Sequence, residues 1–382
     1  MMYTKESYNS LLKLTAQSID ISDEMFEAAE KTYKDLGKWI DRETPDYEIS
    51  IYPQGSFALG TVVRPITNAD DYDLDIVCQF KKQYGLTAKE LKVDVVKPLL
   101  VRYKKASNEI EEKKRCWHVE YDEVPNFHMD VIPAYAYGSA IKITDHNEDD
   151  DTYDYLGSNP AGYVKWFFDA CAKQRNRLYE QYVKEHHRVV DQADVEDVKR
   201  RKVKTPLQRV VQILKRHRDI KFANDNSGNK PISIIITTIA GRLYDEEDNI
   251  YDALFNILSK ATSWIMNNRK GEQFYIENPS YKGENFADKW NTHPERATAF
   301  LQWLDTARED LVDSSLWQYN RIEMGNHLKK CFGSETGKAV FNNKAEMVRS
   351  AIAAGTLKVD TSTGNISKYG TVSIPPAHHF GA

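Results

Sequence analysis

The chain has 382 residues, of which 41% are hydrophobic and 29% are charged, and its formal net charge is −5. This composition is typical of a soluble protein with one large domain or two smaller ones, and the acidic balance gives no reason to expect a protein that coats duplex nucleic acid. The sequence has no apolar run near the ~18 residues of a membrane span, and its first residues, MMYTKESYNS, lack the apolar core of a signal peptide. We therefore expect a cytoplasmic protein without a membrane partner.

The cysteines are scattered along the chain without C-x-x-C spacing. We interpret them as free thiols in a reducing compartment rather than as zinc ligands. They are Cys78, Cys116, Cys171 and Cys331.

The first part of the chain predicts helices and then a strand. Residues 1–43 have apolar positions at helical spacing, with Ser22 as an N-cap. Residues 47–51 alternate between apolar and polar side chains, which indicates a strand with one buried face. A Gly-Ser turn at 55–56 precedes one or two helical turns, and 87–113 is predicted as a helix on a charged surface.

The segment NADDYDLDIVCQF, residues 68–80, places aspartates in a strand. Asp73 and Asp75 point to one face and Leu74 and Ile76 to the other. Two such charges lie ~6.6 Å apart and repel by roughly 2.5 kcal/mol at an effective dielectric near 20. Asp71 also fits a D-x-D frame with Asp73, but the later pair belongs to the better strand. A solvent-exposed edge strand with incidental acids is the alternative interpretation.

A second predicted strand, residues 127–132, brings in a third acid. His128, Asp130 and Ile132 share one of its faces. If this strand is the neighbour of the aspartate strand, Asp130 joins the carboxylates, and a divalent cation with oxygen ligands such as Mg²⁺ would relieve the repulsion. Gly55 permits a close approach of the backbone, and Ser56 offers a hydroxyl and an amide to a phosphate.

The second half of the chain predicts mostly helices. Thr205 is an N-cap for a helix starting at Pro206, and later helices are expected near 294–312, 316–331 and 336–354. We interpret the acidic segment 147–154 as a solvated loop rather than a calcium site.

The fold class is therefore α+β, with a helical region after the sheet. The expected domains are a core over 1–200, a helical domain over 201–356, and a flexible tail over 357–382.

Three motifs together resemble a known superfamily. Gln54-Gly55-Ser56, Asp73-Leu74-Asp75 and Asp130 resemble the signature of the DNA polymerase beta-like nucleotidyltransferases. The longer segments YPQGSFALGTVVRP, DYDLDIV and PLQRVVQILKRHRD resemble the bacterial cGAS/DncV-like nucleotidyltransferases, or CD-NTases. The resemblance implies a polymerase beta-like core, a mixed sheet with flanking helices, joined to a C-terminal helical domain.

The resemblance also implies roles for individual residues. Asp73, Asp75 and Asp130 would bind two Mg²⁺ ions, with Mn²⁺ as a possible substitute, and Asp130 would help to activate the attacking hydroxyl. Gly55, Ser56, Lys215 and Ser233 would hold the donor triphosphate. The sequence PISIIITTIAG around Ser233 has the β-branched composition of a strand, whereas Pro231 and the resemblance favour a helix start. Ile234 stands where relatives often place an aromatic side chain, so no base-stacking residue is assigned.

The implied activity is synthesis of a cyclic di- or trinucleotide messenger from nucleoside triphosphates, in anti-phage defence. The resemblance also raises protein conjugation through the C-terminal end, Gly381-Ala382. Alternatives are a transferase that makes linear oligonucleotides or extends RNA, and a non-catalytic nucleotide-binding scaffold. The basic residues that could form an RNA groove, although a solvated segment is the simpler interpretation, are Lys199, Arg200, Arg201, Lys202 and Lys204.

Overall fold

The computed structural model describes residues 3–67, 72–105, 109–121, 127–186, 203–359, 366–367 and 372–373. The chain divides into two compact units, which we call the larger unit (Ile19–Asp313) and the smaller unit (Met1–Ser18 with Ser314–Ala382). The domain boundaries expected from the sequence stay a prediction.

A mixed β-sheet is the centre of the larger unit, as the α+β interpretation predicted. In the described residues it has seven strands, with β5 at the middle and parallel to β2, and antiparallel pairing elsewhere. The spatial order is β1-β2-β5-β4-β3, and β6 pairs with the end of β5 and with β7. The strands are β1 (Ile49–Pro53), β2 (Tyr72–Phe80), β3 (Ile110–Glu112), β4 (Trp117–Glu120), β5 (Phe127–Tyr137), β6 (Ala140–Asn147) and β7 (Thr152–Ser158).

The two faces of the sheet differ as the alternating sequence predicted. Leu74 and Ile76 of β2 and Met129 and Val131 of β5 are all fully buried in the main hydrophobic core. The residues between them point to the other face, where the polar side chains lie. This alternation fixes which side of the sheet carries the acids.

Helices cover the core face and extend the larger unit beyond the sheet. They are α2 (Asp23–Glu43), α3 (Gly55–Leu59), α4 (Lys97–Lys104), α5 (Pro160–Asp169), α6 (Ala172–His186), α7 (Pro206–Lys221), α8 (Ser233–Leu243), α9 (Ile250–Asn267), α10 (Asp288–Thr292) and α11 (Pro294–Val312). Two predicted caps are confirmed: Ser22 accepts a hydrogen bond from the Met25 amide, and Thr205 forms a capping box with Gln208.

Two expectations about secondary structure were wrong. The single helix over 87–113 is instead a π-helical segment, Glu90–Val96, that continues into α4, followed by β3. Pairing of β3 with β4 overrides the helical spacing of its residues. Part of the acidic loop at 147–154 belongs to β6 and β7, and only 148–151 connects them.

The smaller unit consists of α1 (Lys5–Ser18), a 3₁₀ turn (Ser314–Gln318), α12 (Arg321–Phe332) and α13 (Ser334–Ala353). Three short strands follow: β8 (Lys358–Val359), β9 (Ile366–Ser367) and β10 (Val372–Ser373). They pair in the order β10-β8-β9, which the sequence did not predict. Gly381-Ala382 lies outside the described residues.

Cys78 of β2 and Cys116, in the turn before β4, are buried free thiols, and so are Cys171 and Cys331. Among the helices of the residues that the structure describes, none is long and apolar enough to cross a membrane.

The N-terminal end of α7 is held by one carboxylate. Asp20 forms ion pairs with Lys204 and, at 2.8 Å, with Arg209, and it accepts a hydrogen bond from Gln212 at 2.9 Å. The Lys204 side chain is only 7% exposed. It therefore supports the fold and is not available to an RNA groove; the other basic residues proposed for that groove, 199–202, lie outside the described residues.

The C-terminal end of α7 is held by a second carboxylate, Asp310 of α11. His217 Nε2 lies 3.2 Å from Asp310 Oδ2 and Lys221 Nζ lies 2.6 Å from it, while Trp303 donates its indole N–H to His217 Nδ1. His217 therefore donates from Nε2. Burial opposes ionisation of Asp310, but the hydrogen bonds from His217 and Lys221 hold its pKa well below the ordinary value. The negative charge thus stabilises the fold.

This arrangement predicts a pH-dependent loss of stability in the Asp310→Asn variant. The folded-state pKa lies well below that of the unfolded chain, so the stabilisation is complete above about pH 5, begins to decline near pH 4, and is lost only as the pH falls through the folded-state pKa. We expect the variant to lose about 2–4 kcal/mol of unfolding free energy at pH 7, and less at pH 4. Urea unfolding at both pH values measures this.

The matched control is Asp305→Asn, on the same helix. Asp305 is 59% exposed and pairs with Arg308 at 3.4 Å, so we expect a change within about 0.5 kcal/mol. Equal effects of the two substitutions would contradict the assignment.

Candidate active site

The structure brings the three predicted carboxylates together. In the parallel pairing of β2 with β5, Asp75 lies directly opposite Asp130, and Asp73 lies opposite His128. Neighbouring strands are about 4.8 Å apart, so Asp75 and Asp130 are closer across the sheet than Asp73 and Asp75 are along it. Asp71, the alternative partner in the D-x-D frame, lies outside the described residues.

Asp75 is the carboxylate that this crowding affects most. Burial raises its pKa to about 7, with further contributions from the charges of Asp73 and Asp130. The positive charges of Lys215 and His128 lower the pKa of Asp75, but by less than burial and the two carboxylates raise it. The group of carboxylates therefore has an excess of negative charge that a cation would neutralise.

Asp73 is in a different environment. Its side chain is 63% exposed, and His128 Nε2 lies 3.0 Å from Asp73 Oδ1. Partial burial tends to raise its pKa, but the hydrogen bond and charge of His128, with Lys215, bring the pKa below the ordinary value. Asp73 is thus the readily ionised member of the pair.

Gly55 lies against Asp75. Its φ is +57°, and a Cβ atom at this position would lie 2.3 Å from Asp75 Oδ2. Any other residue would therefore be strained by its backbone and would collide with the carboxylate. The Gln54 amide also donates to the Asp75 carbonyl at 2.8 Å. The turn that carries Ser56, the second residue of α3, is therefore fixed directly beside the carboxylates.

Lys215 reaches the same region from α7. It is 8% exposed, and its ammonium donates to the Thr61 carbonyl at 3.2 Å. Burial and the neighbouring Arg218 lower its pKa to about 8, whereas Asp219, Asp73 and Asp75 counteract this. Lys215 is therefore a buried cation close enough to the two aspartates to interact with both.

Ser233 is the first residue of α8, so the helical interpretation of this β-branched segment is confirmed. Its hydroxyl accepts a hydrogen bond from Arg218 Nη1 at 2.9 Å. Arg218 also donates to the Pro231 carbonyl and pairs with Asp219. The sequence did not single out Arg218; its position three residues after Lys215, on the same side of a helix, was the available signal.

Two histidines also lie at the carboxylates. His118 of β4 pairs in register with Asp130, and its Nδ1 lies 2.9 Å from Asp130 Oδ1. His128 precedes Asp130 by two residues and contacts Asp73. The sequence predicted that His128 shares a face with Asp130, but it gave no register for His118.

A large cavity opens beside the start of α8, and the three carboxylates are not among its lining residues. Its volume is about 1050 Å³, and Ile232 and Ile234, on either side of Ser233, line it. Most of its charged lining is basic, with Lys114, Arg115, Lys142, Lys230 and Arg296 among its residues. Arg115 is adjacent in sequence to Cys116, and burial together with the negative charge of Asp130 raises the pKa of the Cys116 thiol. The cavity therefore combines positive charge, which suits phosphates, with apolar surface, which suits bases.

The residues present fit a divalent cation. Asp73, Asp75 and Asp130 offer oxygen ligands on adjacent strands, and the raised pKa of Asp75 indicates negative charge without sufficient compensation. Divalent metals are general in nucleotidyltransferases, and this acidic cluster offers the oxygen ligands that such an ion prefers.

Comparison with known proteins agrees with this geometry. Residues 49–135, which contain β1 to β4 and most of β5, match the family model for the nucleotidyltransferase domain of cyclic GMP-AMP synthase DncV-like proteins. The chain is also 30% identical over 356 residues to a c-di-GMP synthase of Roseivirga ehrenbergii, covering 90% of this chain and 89% of that relative.

Two further comparisons concern one relative. The cyclic dinucleotide synthase CdnG of Bradyrhizobium diazoefficiens is 23% identical over 344 residues, covering 85% of this chain and 80% of that protein. The structure of the CdnG CD-NTase in complex with GTP superimposes with a TM-score of 0.68 at 21% identity, covering 88% of this chain and 98% of that one. The likeness in structure shows the same fold. The chain therefore belongs to the bacterial CD-NTase family and is a nucleotidyltransferase.

Proposed function

We propose that the protein joins two molecules of GTP into a cyclic dinucleotide, c-di-GMP, and releases two molecules of pyrophosphate. The observation that carries the proposal is the in-register convergence of Asp73, Asp75 and Asp130 beside Gly55 and Lys215. The choice of guanine and of a two-membered ring rests on the relative that is 30% identical, a c-di-GMP synthase. We place the reaction in the cytoplasm; defence signalling and conjugation of the tail stay predictions.

The three carboxylates would hold Mg²⁺, with Mn²⁺ as a substitute. The bound cation neutralises the charge of the triphosphate and of the departing pyrophosphate. The number of ions, two, is the expectation from the sequence resemblance.

The chain's own residues would position the donor GTP. The bend at Gly55 turns the amide and hydroxyl of Ser56 toward the phosphates. Lys215 and Arg218 supply positive charge on α7, and Ser233 adds a hydroxyl that Arg218 already orients at 2.9 Å. These groups hold the triphosphate so that its α-phosphorus faces the acceptor.

Asp130 would accept the proton of the acceptor's ribose hydroxyl. That oxygen forms a bond to the α-phosphorus of the donor, the bond between the α-phosphorus and the bridging oxygen breaks, and pyrophosphate leaves in line. The linear dinucleotide retains one triphosphate. When that triphosphate occupies the donor position, a second transfer of the same kind closes the ring. The cavity of about 1050 Å³ has room for the two nucleotides.

We expect the protein to make a phosphatase-resistant product when it is incubated with GTP and Mg²⁺ alone. Mass spectrometry should find c-di-GMP, with two pyrophosphates released per ring. A parallel mixture of all four triphosphates tests the base preference. A linear product, or activity that needs added RNA, would favour the oligonucleotide transferase, and binding of GTP without turnover would favour the scaffold.

The Asp75→Asn variant should lose activity and gain stability when no metal is present. At an effective dielectric near 20, each of the two repulsions that Asp75 makes, with Asp73 and with Asp130, is roughly 2–3 kcal/mol, and water at the exposed Asp73 screens part of it. We therefore expect a higher free energy of unfolding than wild type in EDTA at pH 8, and a smaller difference or none in Mg²⁺. Chemical denaturation and pyrophosphate release measure the two effects.

Asp154→Asn is the matched control because Asp154 is an exposed strand residue of β7. We expect no change in either measurement. An Asp75→Asn protein that is less stable than wild type in EDTA, or that still releases pyrophosphate, would contradict the assignment.

Lys215→Met should reduce kcat/KM for GTP by about 10²–10³-fold, because it removes a buried cation next to the phosphates while preserving the length of the side chain. Steady-state kinetics at saturating Mg²⁺ measure this. The control is Lys260→Met, which changes an exposed lysine of α9. Similar activity in both variants would remove Lys215 from the proposed donor site.

A further inference from the structure

The carboxylates share their face of the sheet with histidines that the reaction proposed above does not use. Strand register places the side chains of β2, β5 and β4 in two cross-strand rows. The rows are Asp73–His128–Glu120 and Asp75–Asp130–His118. Each row therefore places an imidazole next to a carboxylate.

The ligand atoms of three of these side chains converge. One atom from each of His118, His128 and Asp130 lies within 4.8 Å of the other two. The imidazole rings are 4.3 Å apart, and His118 Nδ1 lies 2.9 Å from Asp130 Oδ1. Two ligands on one ion at bond lengths of about 2.1 Å are separated by about 3 Å when they are at right angles. Small rotations would therefore let the three side chains bind one ion.

The site is preorganised and still accessible. His118 and Asp130 belong to directly paired strands, so backbone hydrogen bonds fix their spacing before any ion binds. Their side chains are 19% and 24% exposed, and that of His128 is 15% exposed. An ion can thus enter from the polar face without rearrangement of the sheet.

The mixed donor set selects a different class of ion from the three aspartates. Imidazole nitrogen favours Zn²⁺ and its first-row neighbours, whereas Mg²⁺ prefers oxygen and retains its water. Two imidazoles and one carboxylate are a common zinc-binding combination. Asp73, opposite His128, adds negative charge beside the site.

We propose that His118, His128 and Asp130 form a binding site for a zinc-like transition-metal ion, and that Zn²⁺ bound there inhibits nucleotide transfer because it engages Asp130. The inhibition rests on the proposed function, whereas the binding does not. The enzyme would then respond to two metals whose ligand sets share Asp130. Mg²⁺ would support the reaction, whereas Zn²⁺ would occupy the Asp130 carboxylate that the reaction needs.

The binding test uses the metal-free full-length chain titrated with Co²⁺, whose visible absorption reports imidazole and carboxylate coordination. We expect one Co²⁺ per chain, displaced by Zn²⁺ and not by a large excess of Mg²⁺. His118→Asn and His128→Asn should each weaken Co²⁺ binding at least about tenfold. Asp75→Asn should still bind Co²⁺, since Asp75 is not one of the three ligands.

The matched control is His293→Asn, at an exposed histidine at the end of α10; it should bind Co²⁺ as wild type does. Unchanged affinity in His118→Asn, or displacement of Co²⁺ by Mg²⁺ at similar concentrations, would overturn the proposal. X-ray absorption of the zinc-loaded wild type requires no variant, and it should detect two imidazole ligands. Zinc bound without imidazole would also overturn it.

The inhibition test measures Mg²⁺-supported pyrophosphate release against added Zn²⁺. We expect His118→Asn to need at least about tenfold more Zn²⁺ than wild type for the same inhibition. Equal sensitivity of the two proteins would refute the inhibitory role. If the wild type made no product from any triphosphate, the proposed function would fail while the Co²⁺ titration would still decide whether the metal site exists.

Discussion

The site depends on one structural constraint, the parallel pairing of β2 with β5 in a register that sets Asp75 opposite Asp130. The carboxylates repel one another, so they do not create this register. The opposite face of the sheet creates the register, because its side chains Leu74, Ile76, Met129 and Val131 are fully buried. A slip of one residue in the pairing would turn the apolar side chains of one strand toward solvent. Hydrophobic burial on one side of the sheet thus forces negative charge together on the other.

Positive charge reaches this face from a helix that is fixed at both ends. Asp20 holds the N-terminal end of α7 through Lys204 and Arg209, and Asp310 holds the C-terminal end through His217 and Lys221. Lys215 and Arg218 lie between these two anchors. The ion pairs at the two ends of α7 thus fix the helix on which Lys215 and Arg218 lie.

The parts of this site that a sequence can predict are those with a local pattern. Alternation identified the faces of β2 and β5, and a glycine–serine turn between two strand signals identified Gly55. The partner of a strand is set by contacts between residues that are distant in sequence. Local patterns therefore did not predict β3, β6 or β7, and they did not connect His118 with Asp130. Propensity alone would have made Ser233–Leu243 a strand. Pro231 and the family resemblance both favoured the helix that the structure has. Ion pairs between distant residues, such as Lys204 with Asp20, also leave no local pattern in the sequence. For this reason the buried Lys204 was grouped with the basic residues of a possible RNA groove.

The bend at Gly55 and the carboxylate of Asp75 are in direct contact, so a movement of one would displace the other. The space that a methyl group would need at residue 55 is already filled by the oxygen of Asp75. Pressure on the bend from an incoming triphosphate would be transmitted to that oxygen without an intervening side chain. A side chain at residue 55 would therefore displace the Asp75 carboxylate, so no substitution there can alter the bend while sparing the acid beside it.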